Sequence, residues 1–164
     1  RGSTITQAMF FNCDHSMLSY RFFRQPDAIL SLFKARLKTI ITINLIPSLV
    51  IAALLPLLLF VSGGTDNPVN YILLPVSIIF MSVFFSVHYL VIYYLLQPYD
   101  IHMQAKSHTY SIVCAVTYFV CYMFIRIQAP MLYFAAGVII FTVLYITLSL
   151  YLAYRFAPKT FKLK

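Results

Sequence analysis

The first long apolar run in the sequence, residues 39–61, contains no charged side chain. A helix rises about 1.5 Å per residue, so this run would be about 34 Å long and would cross the roughly 30 Å hydrocarbon core of a bilayer. Further apolar segments follow at 71–96, 109–127 and 131–154. The pattern predicts an all-α, polytopic membrane protein with about four transmembrane helices, preceded by a cytoplasmic amphipathic helix.

Composition supports a membrane protein over a soluble one. Hydrophobic residues make up 62% of the chain and charged residues 10%, against about 45–50% and about 25% in soluble domains. The 164 residues leave no room for a separate soluble domain beside four spans. The predicted organisation is a cytoplasmic segment at 1–38, a four-helix membrane domain at 39–154 and a basic cytoplasmic tail at 155–164.

The charges are strongly asymmetric. The net charge is +8, from 12 Lys and Arg against 4 acids. If the N-terminus is inside, only Arg126 of these cations lies outside, which under the positive-inside rule predicts a multi-pass protein of the cell membrane with both termini cytoplasmic. Cations at the ends of apolar segments favour membrane lipids over nucleic acid as the partner.

Sequence motifs for enzymatic chemistry are missing. The four glycines do not form a phosphate-binding loop, the absence of Glu excludes HExxH, and GxSxG does not occur. The run Asn12-Cys13-Asp14-His15 contains metal-ligand types, but no second group lies at a suitable spacing. We therefore expect no catalytic, cofactor-binding or metal-binding residues.

Two polar side chains lie inside predicted spans. His88 is ionisable, which makes it a functional hypothesis for an intramembrane enzyme or proton-linked carrier. It could instead be a neutral imidazole bonded to a Ser or Tyr of a neighbouring helix. Asn44 lies beside Pro47, one turn before Ser48, where these side chains could bond carbonyls freed by the proline.

An amphipathic helix is predicted at 26–38. Its apolar side chains recur at helical spacing, with Lys34, Arg36 and Lys38 on the opposite side. This pattern is typical of a membrane-surface anchor or of a docking element that couples the spans to a soluble motor. The candidate docking residues are Tyr20, Arg21, Phe22, Phe23, Arg24, Asp27 and Lys34.

The stretch FFNCDHSMLSYRFFR at 10–24, continuing into 29–44, resembles permease subunits of Firmicute ABC-type exporters associated with peptide or bacteriocin export. The resemblance implies the C-terminal part of a longer permease, non-catalytic itself, in a dimeric or pseudo-dimeric membrane assembly. It also implies an ATP-binding-cassette ATPase partner that docks near residues 20–38. The alternative from another class is a small stand-alone membrane protein, such as a bacteriocin-immunity or scaffold protein.

Overall fold

The computed structural model describes residues 2–14, 25–99, 108–126 and 129–161. Over these ranges the chain is helical and contains no β-strand, which confirms the all-α prediction. A π-helical turn, Phe10–Asp14, continues the first helix directly. The helices are α1 (Gly2–Met9), α2 (Pro26–Val61), α3 (Asn70–Leu96), α4 (His108–Ile125) and α5 (Met131–Thr160).

Three of these helices, α2, α3 and α5, are long and apolar enough to cross a membrane. Helix α4 is also apolar but shorter, with 18 residues and a length of about 27 Å. The chain is therefore a polytopic membrane protein with three long apolar helices and a shorter fourth.

Helix α2 contains two segments that the sequence pattern predicts as separate elements. The amphipathic segment 26–38 and the first span form one helix of 36 residues, about 54 Å long. Pro26 begins it, where a missing N–H costs nothing. Gly63 follows its end with a φ of 115°, a conformation that favours glycine. The predicted boundary at 38/39 thus lies inside a helix, and α5 likewise continues past 154 to Thr160.

Helix α3 is the centre of the bundle and packs mainly against α2 and α5, whereas α4 touches it least. The seams contain small side chains, which let helices approach closely, while large apolar side chains face outward as expected against lipid. Buried small residues of α3 and α5 include Ser77, Ser86, Ala135, Thr142, Ser149, Ala153 and Ala157. Outward-facing apolar residues include Leu57, Leu58, Phe60, Phe119, Phe124, Ile140 and Leu144.

An aromatic cluster closes the bundle at the C-terminal end of α3. Tyr94 stacks on Phe161 with ring centroids 4.4 Å apart, and Phe10 stacks on Tyr99 at 5.0 Å. Phe33 of α2 meets Tyr94 edge-on at 5.2 Å. The N-terminal segment is thereby part of the core, although residues 1–25 show no clear period in sequence.

Candidate docking and intramembrane polar sites

A buried polar cluster lies within this aromatic end of the bundle; we call Asp14, Arg36 and Tyr93 the Asp14 cluster. Arg36 Nη2 donates to Asp14 Oδ1 in an ion pair. The Tyr93 hydroxyl donates to Asp14 Oδ2 at 2.7 Å. Each carboxylate oxygen of Asp14 therefore accepts a hydrogen bond from a separate helix, Oδ1 from α2 and Oδ2 from α3. Within the described ranges this is the one ion pair between side chains.

The Asp14 cluster is almost fully removed from solvent. Asp14 is 1% exposed, Tyr93 0% and the Arg36 side chain 14%. Burial raises the pKa of the Asp14 carboxyl, while the Arg36 charge and the Tyr93 hydroxyl act in the opposite direction. Desolvation is the largest of these effects, so removal of one partner alone would leave the other as an uncompensated buried group, which is strongly destabilising.

Three separate elements bring the Asp14 cluster together. Asp14 is the last residue of the π-helical turn, Arg36 belongs to the first third of α2, and Tyr93 lies near the end of α3. The helical pattern of 26–38 predicts Arg36 on the polar face, with Lys34 and Lys38. That placement is wrong for Arg36, because its guanidinium faces inward to Asp14, whereas Lys34 and Lys38 are exposed.

His88 joins α3 to two other helices. Its Nδ1 lies 2.7 Å from the Tyr145 hydroxyl of α5, and its Nε2 lies 3.0 Å from Thr117 Oγ1 of α4. Thr117 already donates its hydroxyl hydrogen to the Val113 carbonyl at 2.8 Å, so it can only accept from Nε2–H. Nδ1 of a neutral ring then accepts from Tyr145. This geometry matches a neutral histidine in helix packing.

Asn44 lies in a polar seam between α2 and α3. Its Nδ2 donates to Ser86 Oγ at 2.9 Å, and one turn further Ser48 Oγ contacts Ser82 Oγ at 2.6 Å. The Ser48 hydroxyl also lies 2.7 Å from the Asn44 carbonyl. The carbonyl that Pro47 would free is that of Ile43, one residue earlier. The seam therefore links helices rather than repairing the proline site.

The candidate docking residues fall into two groups. Asp27 and Lys34 are exposed on α2, and their separation of two helical turns places them on one face about 10 Å apart along the axis. The remaining candidates, Tyr20, Arg21, Phe22, Phe23 and Arg24, lie outside the described residues.

The run Asn12-Cys13-Asp14-His15 does not form a metal site in the part of the chain that the structure describes. Asn12 Nδ2 donates to the Ala8 carbonyl at 2.8 Å and Asp14 pairs with Arg36, while His15 lies outside that part. No group of three or more His, Cys, Asp or Glu among the described residues could hold a metal ion. In comparisons with known proteins, no family model, curated protein or solved structure matches the chain.

Proposed function

We propose that this chain is a non-catalytic membrane subunit of an ABC-type export system, which passes movements of a partner ATPase to its transmembrane helices. The observation that supports the proposal is the continuity of α2 from Pro26 to Val61. One helix connects an exposed, charged end to a membrane span, so a force applied at one end moves the other.

The dimensions of α2 suit this role. The apolar part, 39–61, accounts for about 34 Å, which leaves about 20 Å of helix at 26–38 beyond the hydrocarbon. Asp27 and Lys34 are exposed on that extension and are the proposed contacts for the ATPase. Pro47 and Pro56 lie inside the span, and prolines are the usual places where a helix bends.

The proposed setting is the cell membrane, with both termini cytoplasmic and a dimeric or pseudo-dimeric assembly surrounded by lipid. The exposed cations Lys34, Lys38, Arg155 and Lys159 would then lie at the anionic cytoplasmic leaflet. ATP hydrolysis belongs to the partner chain in this proposal.

Affinity purification of the full-length protein from its native membranes tests the proposal. We expect an ATP-binding-cassette ATPase to copurify and to hydrolyse ATP in the recovered complex. Lys34→Glu reverses a charge on the proposed docking face, so recovery of the ATPase should fall by about tenfold or more, since like charges across an interface cost several kcal/mol.

Lys159→Glu is the matched control, because Lys159 is also an exposed lysine near a helix end but lies on α5. Its recovery of ATPase should equal that of the wild type. Purification of the wild-type chain without any ATPase would contradict the proposal and favour the stand-alone membrane protein.

A further inference from the structure

An exposed stripe of apolar side chains runs along α5 toward its C-terminal end. Its members are spaced three and four residues apart, so they lie on one face of the helix. They are Phe141, Leu144, Leu148 and Tyr151. Arg155 continues the same spacing and is also exposed. One face of α5 therefore presents apolar side chains to lipid and ends in a cation.

The position of Arg155 along α5 corresponds to the level of the lipid headgroups. The middle of the apolar segment 131–154 lies near residue 143, twelve residues before Arg155. Twelve helical residues rise about 18 Å, or about 17 Å at the usual tilt of about 20°. The hydrocarbon ends about 15 Å from the bilayer centre. Arg155 is thus level with phosphate groups rather than with acyl chains.

Aromatic side chains hold the Arg155 guanidinium in place. Its Nη1 donates to the Tyr151 hydroxyl, one turn earlier on the helix. Its Cζ lies 5.9 Å from the ring centroid of Tyr151 and 5.7 Å from that of Phe156, within the range of cation–π contacts. Because these contacts restrain the side chain before any ligand arrives, less conformational entropy is lost when it binds an anion.

The held guanidinium keeps donors for a ligand. An arginine has five N–H donors. In the part of the chain that the structure describes, the Tyr151 hydroxyl is the one hydrogen-bond acceptor of Arg155. The remaining donors have the planar fork geometry that binds a phosphate through two parallel hydrogen bonds.

Neighbouring helices supply no acid for this cation. Helices α3, α4 and α5 contain neither Asp nor Glu, and the ion pair between Asp14 and Arg36 is the one salt bridge within the described ranges. A phosphate is therefore not in competition with an acid of these helices. A zwitterionic headgroup would bring an ammonium group that no carboxylate of α5 can pair, and Lys159 adds positive charge one turn further. A headgroup with a net negative charge is the complementary ligand.

We propose that Tyr151, Arg155 and Phe156 form a binding site for one anionic phospholipid, whose phosphate binds the Arg155 guanidinium and whose acyl chains lie along the apolar stripe of α5. The bound lipid fixes the depth of this end of α5 in the bilayer. The site belongs to one chain and requires no ATPase partner, so it is tested independently of the proposed export function.

Lipid titration of the full-length protein, read by native mass spectrometry, tests the site. After delipidation in detergent, we expect one phosphatidylglycerol per chain to bind about tenfold or more tightly than phosphatidylcholine. Arg155→Gln removes the charge and the fork together, so affinity for phosphatidylglycerol should fall by about thirtyfold or more. Arg155→Lys keeps the charge without the fork and should recover only part of that loss.

Lys159→Gln is the matched control, because it removes another exposed cation of the same helix, one turn from Arg155. It should lower the affinity by no more than the roughly fivefold that one cation near an anionic surface contributes. The free energy of unfolding in lipid-free detergent should be unchanged in both variants, because both side chains are exposed. The comparison therefore reports lipid binding and not folding.

Three results would overturn the lipid site. Equal losses of affinity in Arg155→Gln and Lys159→Gln would assign the binding to general surface charge. Equal affinities of the wild type for phosphatidylglycerol and phosphatidylcholine would mean that apolar contact alone holds the lipid. Absence of bound phosphatidylglycerol would leave Arg155 to another occupant, such as an acidic segment of a partner protein.

Discussion

His88 illustrates how single polar residues hold this bundle together. Its two ring nitrogens are used by Tyr145 and Thr117, and its ring stacks on Phe84 with centroids 5.6 Å apart. Helix α4 touches α3 less than the other helices do, and the bond from His88 to Thr117 is one of the contacts that attach it. His88 therefore links three helices, a set of contacts that the sequence alone could not predict.

Removal of the Tyr145 hydroxyl should weaken the bundle. Tyr145→Phe deletes the donor to His88 Nδ1 while keeping the ring, so we expect the free energy of unfolding to fall by about 0.6 kcal/mol and by at most about 1.7 kcal/mol, the average and the maximum for hydrogen bonds between membrane helices. Titration of unfolding with SDS in mixed micelles measures it. Tyr133→Phe, at a residue of α5 that is 73% exposed, should change nothing; equal effects of both variants would contradict the prediction.

Because of Asp14, the free energy of unfolding should fall as pH rises. Its pKa in the folded protein lies above the unfolded value of 3.8 because of burial. Between these two pKa values the folded state holds more protons than the unfolded state, so the free energy of unfolding decreases as pH rises. The stabilising contribution is full below pH 3.8 and is lost as pH passes the folded pKa.

Comparison with Asp14→Asn isolates this effect, since Asn does not titrate. The difference in unfolding free energy, wild type minus Asp14→Asn, should decrease from about pH 4 upward with a slope of at most about 1.4 kcal/mol per unit. The neighbouring Arg36 keeps its charge throughout this range. Parallel pH curves for the two proteins would refute the assignment.

At the scale of helices, the α2–α3 seam is held by hydrogen bonds between small polar residues. Asn44 and Ser48 on α2 meet Ser86 and Ser82 on α3. Between apolar helices in lipid there is no hydrophobic driving force, so close packing and such bonds decide which faces meet. The seam therefore fixes the register of α2 against α3 on the membrane side of the Asp14 cluster.

A double-mutant cycle measures this seam. Asn44→Ala and Ser86→Ala, made singly and together, should give a coupling energy of about 0.6 kcal/mol and at most about 1.7 kcal/mol. Thr42 is the control on α2, because it is exposed and its hydroxyl bonds the Lys38 carbonyl of its own helix. Thr42→Ala with Ser86→Ala should show no coupling, and a coupling equal to that of Asn44 would contradict the seam.

For the molecule as a whole, the positions of apolar helices could be predicted from the sequence, because they depend on local hydrophobicity alone. The spans at 71–96 and 109–127 agree with α3 and α4 within two residues at each end, since runs without charge are visible directly. The Asp14 cluster could not be predicted, because Asp14 lies 22 residues from Arg36 and 79 from Tyr93. No periodicity links positions so far apart.

The contact of Tyr93 with Asp14 could not be predicted from the sequence around Tyr93 either. As a tyrosine near the end of a span it fits the interfacial aromatic belt expected of a membrane protein. In the structure its hydroxyl is buried and bonded to Asp14. The N-terminal segment that packs over Tyr93, residues 2–14, has one buried apolar residue and one buried acid in its last five positions. Two such residues are too few to form a recognisable sequence pattern.

Thiol labelling from either side of the membrane tests the topology. In a protein whose three native cysteines are replaced, Asp66→Cys, in the exposed turn after α2, and Arg126→Cys, after α4, should both react with a membrane-impermeant maleimide in intact cells, because the positive-inside rule puts these loops outside. Lys159→Cys near the end of α5 should react only after permeabilisation. Labelling at Arg126→Cys decides whether α4 crosses the membrane. Helix α4 has 18 residues and a length of about 27 Å, slightly less than the roughly 30 Å of the hydrocarbon core. Labelling at Asp66→Cys without labelling at Arg126→Cys would mean that α4 stays on the inner side of the membrane and that the cations at the end of α5 lie outside.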